Sequence, residues 1–167
     1  KILRLDIMKD ARTALPALRQ LRPDDVQILF FYYAAKNVDD RTLEAIAHLS
    51  GLRVLFAENG SFSEMGLAHL ADLRQLKALQ LPSSTPAESL DHLKGLTSLE
   101  YLNISGSELS EAKLAKAGEL PWLTQLSIAA HNASGGLKHI AKLKSLRYLN
   151  LAAIRDQGLD MNLAHIA

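Results

Sequence analysis

Three histidines, His69, His92 and His139, each stand seven residues ahead of a leucine-led segment, with Lys116 at the equivalent place between the last two. Imidazoles in series could bind a metal ion or shuttle protons. A shared ion needs nitrogens about 2.1 Å from one centre, though, and side chains on successive helices are too far apart for that. The column reads as a solvated helix face, and no metal site is expected. His131 beside Asn132 reads as turn chemistry. The carboxylate pairs Asp24-Asp25 and Asp39-Asp40 could serve acid-base catalysis, but each sits in a polar turn. Ser134-Gly135-Gly136 lacks the following basic and hydroxyl residues of a phosphate loop. Trp122, after Pro121, reads as packing between units. No nucleophile, base and orienting group converge, so the chain reads as non-catalytic and without a cofactor.

The positioning elements come from a repeat, the feature to seek first in any chain. An apolar-x-x-Leu-x-apolar pattern recurs as Val26, Leu29, Phe31; Leu52, Leu55, Ala57; Leu76, Leu79, Leu81; Leu99, Leu102, Ile104; Leu123, Leu126, Ile128; and Leu146, Leu149, Leu151. The central residues are 26, 24, 23, 24 and 23 apart. Leu3 and Leu5 precede Leu29 and Phe31 by the first of those spacings again, and are expected to open a seventh strand. Between strands, leucines step by three, as in Leu67, Leu70, Leu73 and in Leu90, Leu93, Leu96. One unit is therefore a short strand, a turn and a helix of two to three turns. Thr85-Pro86-Ala87-Glu88 reads as a capping box, and Ser63 and Ser110 as N-caps with acidic first turns. A lone unit cannot bury its apolar side, so seven stack into a solenoid. Helices are wider than the ~4.8 Å strand spacing, so the parallel sheet should be concave.

These residues resemble the leucine-rich-repeat family, and within it the bacterial GALA-type and cysteine-containing-type units, whose length matches the spacings of 23 and 24 seen here. Ser63-Glu64-Met65-Gly66-Leu67-Ala68-His69-Leu70-Ala71-Asp72-Leu73 matches the unit ending Thr-Asp-x-Gly-Leu-x-x-Leu-x-x-Leu, and Ser110 to Leu114 matches it more loosely. The resemblance implies an α/β solenoid that recognises proteins through its sheet. It also implies a second reading, the substrate-recognition region of a larger bacterial effector or ubiquitin-ligase-type protein. The family's turn position holds Ala34, Gly60, Ser84, Ser107, His131 and Ile154 here, and only the two serines fit. The turns near both ends should therefore be irregular. Neither end shows a polar cap, so residues 1 to 167 read as one repeat domain within a longer chain, with homo-oligomerisation through exposed ends as a third, scaffolding role.

Period-two alternation sorts the open face into columns. The first holds Ile2, Ile28, Val54, Ala78, Tyr101, Gln125 and Tyr148; the second Arg4, Phe30, Phe56, Gln80, Asn103, Ser127 and Asn150; the third Asp6, Tyr32, Glu58, Pro82, Ser105, Ala129 and Ala152. Ile28, Phe30, Tyr32, Val54 and Phe56 should form one aromatic patch, with Glu58, Tyr101, Asn103 and Tyr148 completing the partner-binding face. Aromatic anchors on an exposed surface favour a protein or peptide partner. Phe31, at an inward position beside Ala57, reads as core.

Composition agrees with that partner class. Nineteen Lys and Arg face 18 Asp and Glu, net +1, so neither nucleic acid nor a membrane surface is expected. With no cysteine, disulfides and thiolate metal sites are ruled out. A cytoplasmic protein and a secreted effector both fit that composition, and no signal peptide or membrane-length apolar run is visible.

Overall fold

In a computed structural model, which describes residues 2–33, 35–105, 109–128 and 136–151, every repeated leucine motif becomes a strand. β1 (Arg4–Ile7), β2 (Ile28–Phe31), β3 (Val54–Ala57), β4 (Ala78–Gln80), β5 (Tyr101–Asn103), β6 (Gln125–Ser127) and β7 (Tyr148–Asn150) form one parallel sheet in chain order. The opposite layer holds α1 (Ala11–Gln20), α2 (Asp40–Ile46), α3 (Glu64–Ala68), a 3-10 helix (Glu88–Gly95), α4 (Glu111–Ala117) and a second 3-10 helix (Leu137–Lys142). Between the layers lies a single leucine ladder. Leu29, Leu55, Leu79, Leu102 and Leu126 are fully buried, as are helix-side leucines such as Leu43, Leu67, Leu90 and Leu114. A tight turn guides each chain segment into its strand, with Leu52, Leu76, Leu99, Leu123 and Leu146 N–H donating to the carbonyls of Leu49, Leu73, Leu96, Leu120 and Leu143. No helix among the described residues is long and apolar enough to cross a membrane.

Three local expectations are corrected. First, β1 sits two residues further along than the leucine spacing suggested. Arg4 pairs with Ile28, Leu5 with Leu29, Asp6 with Phe30 and Ile7 with Phe31. The first unit, from Leu5 to Leu29, is therefore as long as the one from Leu55 to Leu79, and only the second, from Leu29 to Leu55, is longer. A slip of two leaves every side chain on its original face, so alternation cannot detect it. The extra residues of the second unit lie in the loop after Phe31, where Asn37 adopts φ 56°. An asparagine tolerates that left-handed backbone better than most residues.

Second, the units differ in helix type, and length explains it. The two shortest units run from Leu79 to Leu102 and from Leu126 to Leu149, and both of these carry 3-10 helices. The longer units carry α-helices. A 3-10 helix rises ~2.0 Å per residue against ~1.5 Å, so it spans the same strand-to-strand path with one residue fewer.

Third, the capping box at Thr85 does not form. The helix starts at Glu88, its N-cap is Ala87 without a side-chain bond, and the buried Thr85 hydroxyl has no partner among the described residues. Ser63 and Ser110 do cap as expected, accepting from Gly66 and Lys113 N–H. Asp10 and Asp39 cap α1 and α2, and Asp39 does so in a reciprocal box with Thr42. Asp40 accepts from Ser63 N–H at 2.9 Å and Ser63 Oγ at 2.6 Å, tying unit to unit. The two acidic pairs are thus structural: Asp25 likewise accepts from Arg22 N–H at 2.8 Å. At the turn position, Ser84 Oγ donates to Gly60 O at 3.1 Å, bridging successive units. Ala34, Ser107, His131 and Ile154 lie outside the described residues, as do Asn132, Ser134 and Gly135.

Lys113 has no counterpart in the leucine pattern. It is only 3% exposed, and its Nζ donates to Ser83 O at 2.8 Å. Burial pushes its amine below the ordinary lysine range. Between that lowered value and 10.5 the unfolded chain holds more protons, so this residue makes stability climb as pH rises through that window. At neutral pH its full desolvation cost is present. Lys113→Met should therefore match or exceed the parent in urea unfolding at pH 7, by on the order of 1 kcal/mol, and flatten the alkaline rise. A loss above roughly 2 kcal/mol would show instead that the ammonium is a net strut.

Candidate functional site

The strand register fixes which side chains share the open face. With β1 shifted, Arg4 heads the column of Ile28, Val54, Ala78, Tyr101, Gln125 and Tyr148, and Asp6 heads that of Phe30, Phe56, Gln80, Asn103, Ser127 and Asn150. Ile2, placed in the first column by its spacing, precedes the paired strand and is exposed. In the third column, Ala129 and Ala152 lie outside the described residues.

The aromatic residues form one connected row. Phe30 and Phe56 meet edge to face with centroids 4.8 Å apart at 78°. Tyr32 tilts against Phe30 at 6.1 Å. Phe56 reaches Tyr101 at 5.9 Å, although β4 lies between their strands. The contact runs diagonally across β4, where the residue in the Tyr101 column is only Ala78. The Arg4 guanidinium lies 4.3 Å from the centroid of Phe30, with Nη2 donating to Tyr32 Oη at 2.7 Å and Nε to Asp6 at 2.8 Å. A cation over a ring face is attracted by the ring quadrupole. The Asp6 carboxylate, first among its neighbours, raises the guanidinium further above its usual pKa.

The row is neither buried nor fully open. Ile28, Phe30, Val54, Phe56, Tyr101 and Asn103 are half-buried, while Tyr32 is 38% and Tyr148 57% exposed. Glu58 is exposed, with no ion pair among the described residues. Asn103 Oδ1 accepts from Ser105 N–H at 2.9 Å, and its NH2 group has no partner among the described residues. Tyr148 stands apart from the other rings. The structure therefore brings together Phe30, Tyr32, Phe56 and Tyr101, flanked by Ile28 and Val54. Glu58, Asn103 and Tyr148 lie on the same face outside the set of contacting rings.

Two features escaped the sequence reading. Arg4 acts as a lid on Phe30 and Tyr32, a role its place in the column did not disclose. Tyr33, 77% exposed, and Met8, 62% exposed, extend the apolar surface past the loop edge. Asn59 Nδ2 holds the Tyr33 carbonyl at 2.6 Å. The extra length of the second unit was the available signal, because the added residues fall where Tyr33 projects.

The helix side has the opposite character. Its charges pair across units: Arg12 with Asp39 at 3.4 Å, Arg19 with Glu44 at 3.2 Å, Lys94 with Glu119 at 2.7 Å and Lys138 with Glu111 at 2.7 Å. Asp91 accepts from Lys116 at 2.6 Å and forms an ion pair with Lys94 at 2.7 Å, and these two ammonium groups hold its carboxyl below the usual range. Lys138 and then His139, at 3.2 Å, do the same for Glu111. His92 faces Glu64 at 4.0 Å, and His69 is exposed. The histidine column thus interleaves with carboxylates of adjoining units. Among the described residues no three His, Asp or Glu side chains gather as a metal would require. Trp122 is half-buried against the leucine ladder, its indole N–H without a partner among the described residues.

No family model and no curated protein matches the sequence. Among solved structures the chain resembles an internalin from Listeria monocytogenes, with a TM-score of 0.56 and 23% identity over 84% of this chain. The match spans 39% of the internalin chain. At that identity the likeness speaks to architecture, and with the seven-stranded parallel sheet it identifies the fold as a leucine-rich-repeat solenoid.

Proposed function

We propose that this chain is a non-catalytic recognition module that binds a protein or peptide across the open face of its sheet. The observation that carries the reading is the row Tyr32–Phe30–Phe56–Tyr101, four contacting rings left partly in solvent on a face the leucine ladder does not need. A fold hosts many roles, and this surface is what distinguishes the binding role here. Aromatic rings bury much area at little rotamer cost, and Arg4 already stacks as a partner's cation would. The helix side offers ion pairs instead, and surface ion pairs give little binding energy.

Peptides selected from a random display library on the immobilised chain supply the test. Phe30→Ala, Phe56→Ala and Tyr101→Ala should each weaken the selected peptides by roughly tenfold or more, the loss expected of a hot-spot residue. Arg19→Ala, on the helix side, should leave affinity unchanged. Peptides that bind equally well to all three aromatic variants would place recognition elsewhere and end this reading.

A further inference from the structure

β1 forms one edge of the sheet, and no described strand lies beyond it. Its odd-numbered residues turn their backbone toward β2: the carbonyls of Leu3 and Ile7 accept from Ile28 and Tyr32 N–H. Backbone direction alternates along a strand, so the N–H and C=O of Arg4 and Asp6 point off the edge. The leucine ladder is open at the same place. Leu5 and Ile7 are only partly buried, whereas Leu29 and Phe31, their partners on β2, are buried. Ile2, Leu3 and Met8, which flank the strand, are exposed.

Residues 2 to 8 read Ile-Leu-Arg-Leu-Asp-Ile-Met. Turned end for end about Leu5, this segment complements itself. Arg4 then faces Asp6, Leu3 faces Ile7, Ile2 faces Met8, and Leu5 faces its own copy. Odd residues meet odd and even meet even, so inner-face side chains stay on the inner face. The even residues also carry the outward backbone groups. Arg4 and Asp6 therefore become hydrogen-bonded pairs, and Leu5 a non-hydrogen-bonded one. Neighbouring registers fail. A slip of two sets Arg4 against Arg4 or Asp6 against Asp6, and like charges directly opposite destabilise a pair. A slip of one sets the leucines against the charged face. Charges on an edge strand commonly keep a second copy away, but here the two are opposite in sign and spaced to attract one.

From the bare edge, the open rung and this self-complementarity, we propose that β1 is a homodimerisation strand. It pairs antiparallel with β1 of a second copy, across a two-fold axis normal to the sheet at Leu5. The interface is isologous, and the two sheets become one. Both open faces then look the same way. Arg4 of each copy lies between Asp6 of its own chain, at 2.8 Å, and Asp6 of the other. The two leucine ladders meet at Leu5, and the first rung gains the cover that interior rungs already have. This pairing goes beyond the recognition reading and does not depend on it.

Sedimentation velocity of the full chain carries the test. A dimer dissociating in the micromolar range is expected, as for a small interface. Arg4→Asp and Asp6→Arg should each weaken self-association at least tenfold, since each sets like charges opposite twice. Mixed in equal amounts, the two variants should form a heterodimer, because every facing pair is again opposite in sign. Asp6→Pro should yield a monomer, for it removes an outward N–H and leaves the ladder to β2 intact. The chain has no cysteine of its own, so Leu5→Cys should cross-link to its copy on oxidation, the facing Cα atoms being about 4.5 Å apart. Leu3→Cys, about 13 Å from its copy in this register, should not. A chain that stays single across the micromolar range, whether its edge is bare or covered by a strand of its own polypeptide, would overturn the pairing. So would a dimer that both charge variants leave intact, or one in which Leu3→Cys cross-links and Leu5→Cys does not.

Discussion

Leu55→Ala should destabilise the protein by about 3 kcal/mol, whereas Phe56→Ala, one residue along the same strand, should cost about 1 kcal/mol or less. The difference follows from which way each side chain points. Leu55 is fully buried between β2 and β4, touching the ladder on both sides. Removing its three outer carbons forfeits transfer energy and leaves a cavity that stacked units on either side hold open. Phe56 is larger, yet it is half-buried and its ring contacts are with Phe30 and Tyr101 on the solvent face. No cavity results when it is shortened, because water fills the space. Urea unfolding of the two variants, followed by far-ultraviolet circular dichroism, gives the comparison directly. Equal costs, or a larger cost at Phe56, would contradict the assignment of faces on which the proposed binding surface depends.

Most of that assignment was legible in the leucines, for a physical reason. A parallel strand buried on one face and a helix packed on one stripe impose periods of 2 and 3.6, and stacked units impose them repeatedly. From Leu29 onward the register follows the leucine columns. What remained hidden belongs to effects without such a period. The two-residue slip of β1 preserves alternation, so the choice depended on which pair, Leu5 and Ile7 or Leu3 and Leu5, meets Leu29 and Phe31. Helix type depended on one residue of unit length, a difference written in the spacings themselves. The Thr85 box failed because the short unit there adopts a 3-10 helix starting at Glu88. At the site, the aromatic residues were visible in their columns. Their mutual contacts were not, because the reach of Phe56 to Tyr101 depends on how little space Ala78 fills.

Gly118→Ala is expected to cost about 1 to 3 kcal/mol, a large effect for one methyl group. Gly118 ends α4 with an ordinary helical φ of −64°, so the reason is space and not backbone freedom. A Cβ at this position would collide with the carbonyl oxygen of His139 and come within 3.0 Å of its carbonyl carbon. These are backbone atoms of the neighbouring 3-10 helix, and they cannot swing aside as a side chain would. The added methyl must therefore push α4 and the second 3-10 helix apart, straining the Glu111–His139 contact at 3.2 Å and the packing of Leu114 and Ile140. Because each unit touches only its neighbours, the damage should stay local. Amide exchange should quicken in β6 and β7 while protection in β2 to β4 persists. The proposed partner surface crosses that boundary: Phe30 and Phe56 sit on the unaffected side, and Tyr148 on the loosened one. A peptide that depends on the first pair alone should bind Gly118→Ala normally, and one that also needs Tyr148 should bind it less well. Unchanged stability together with unchanged exchange would show that the helix layer yields more easily than the close backbone approach implies.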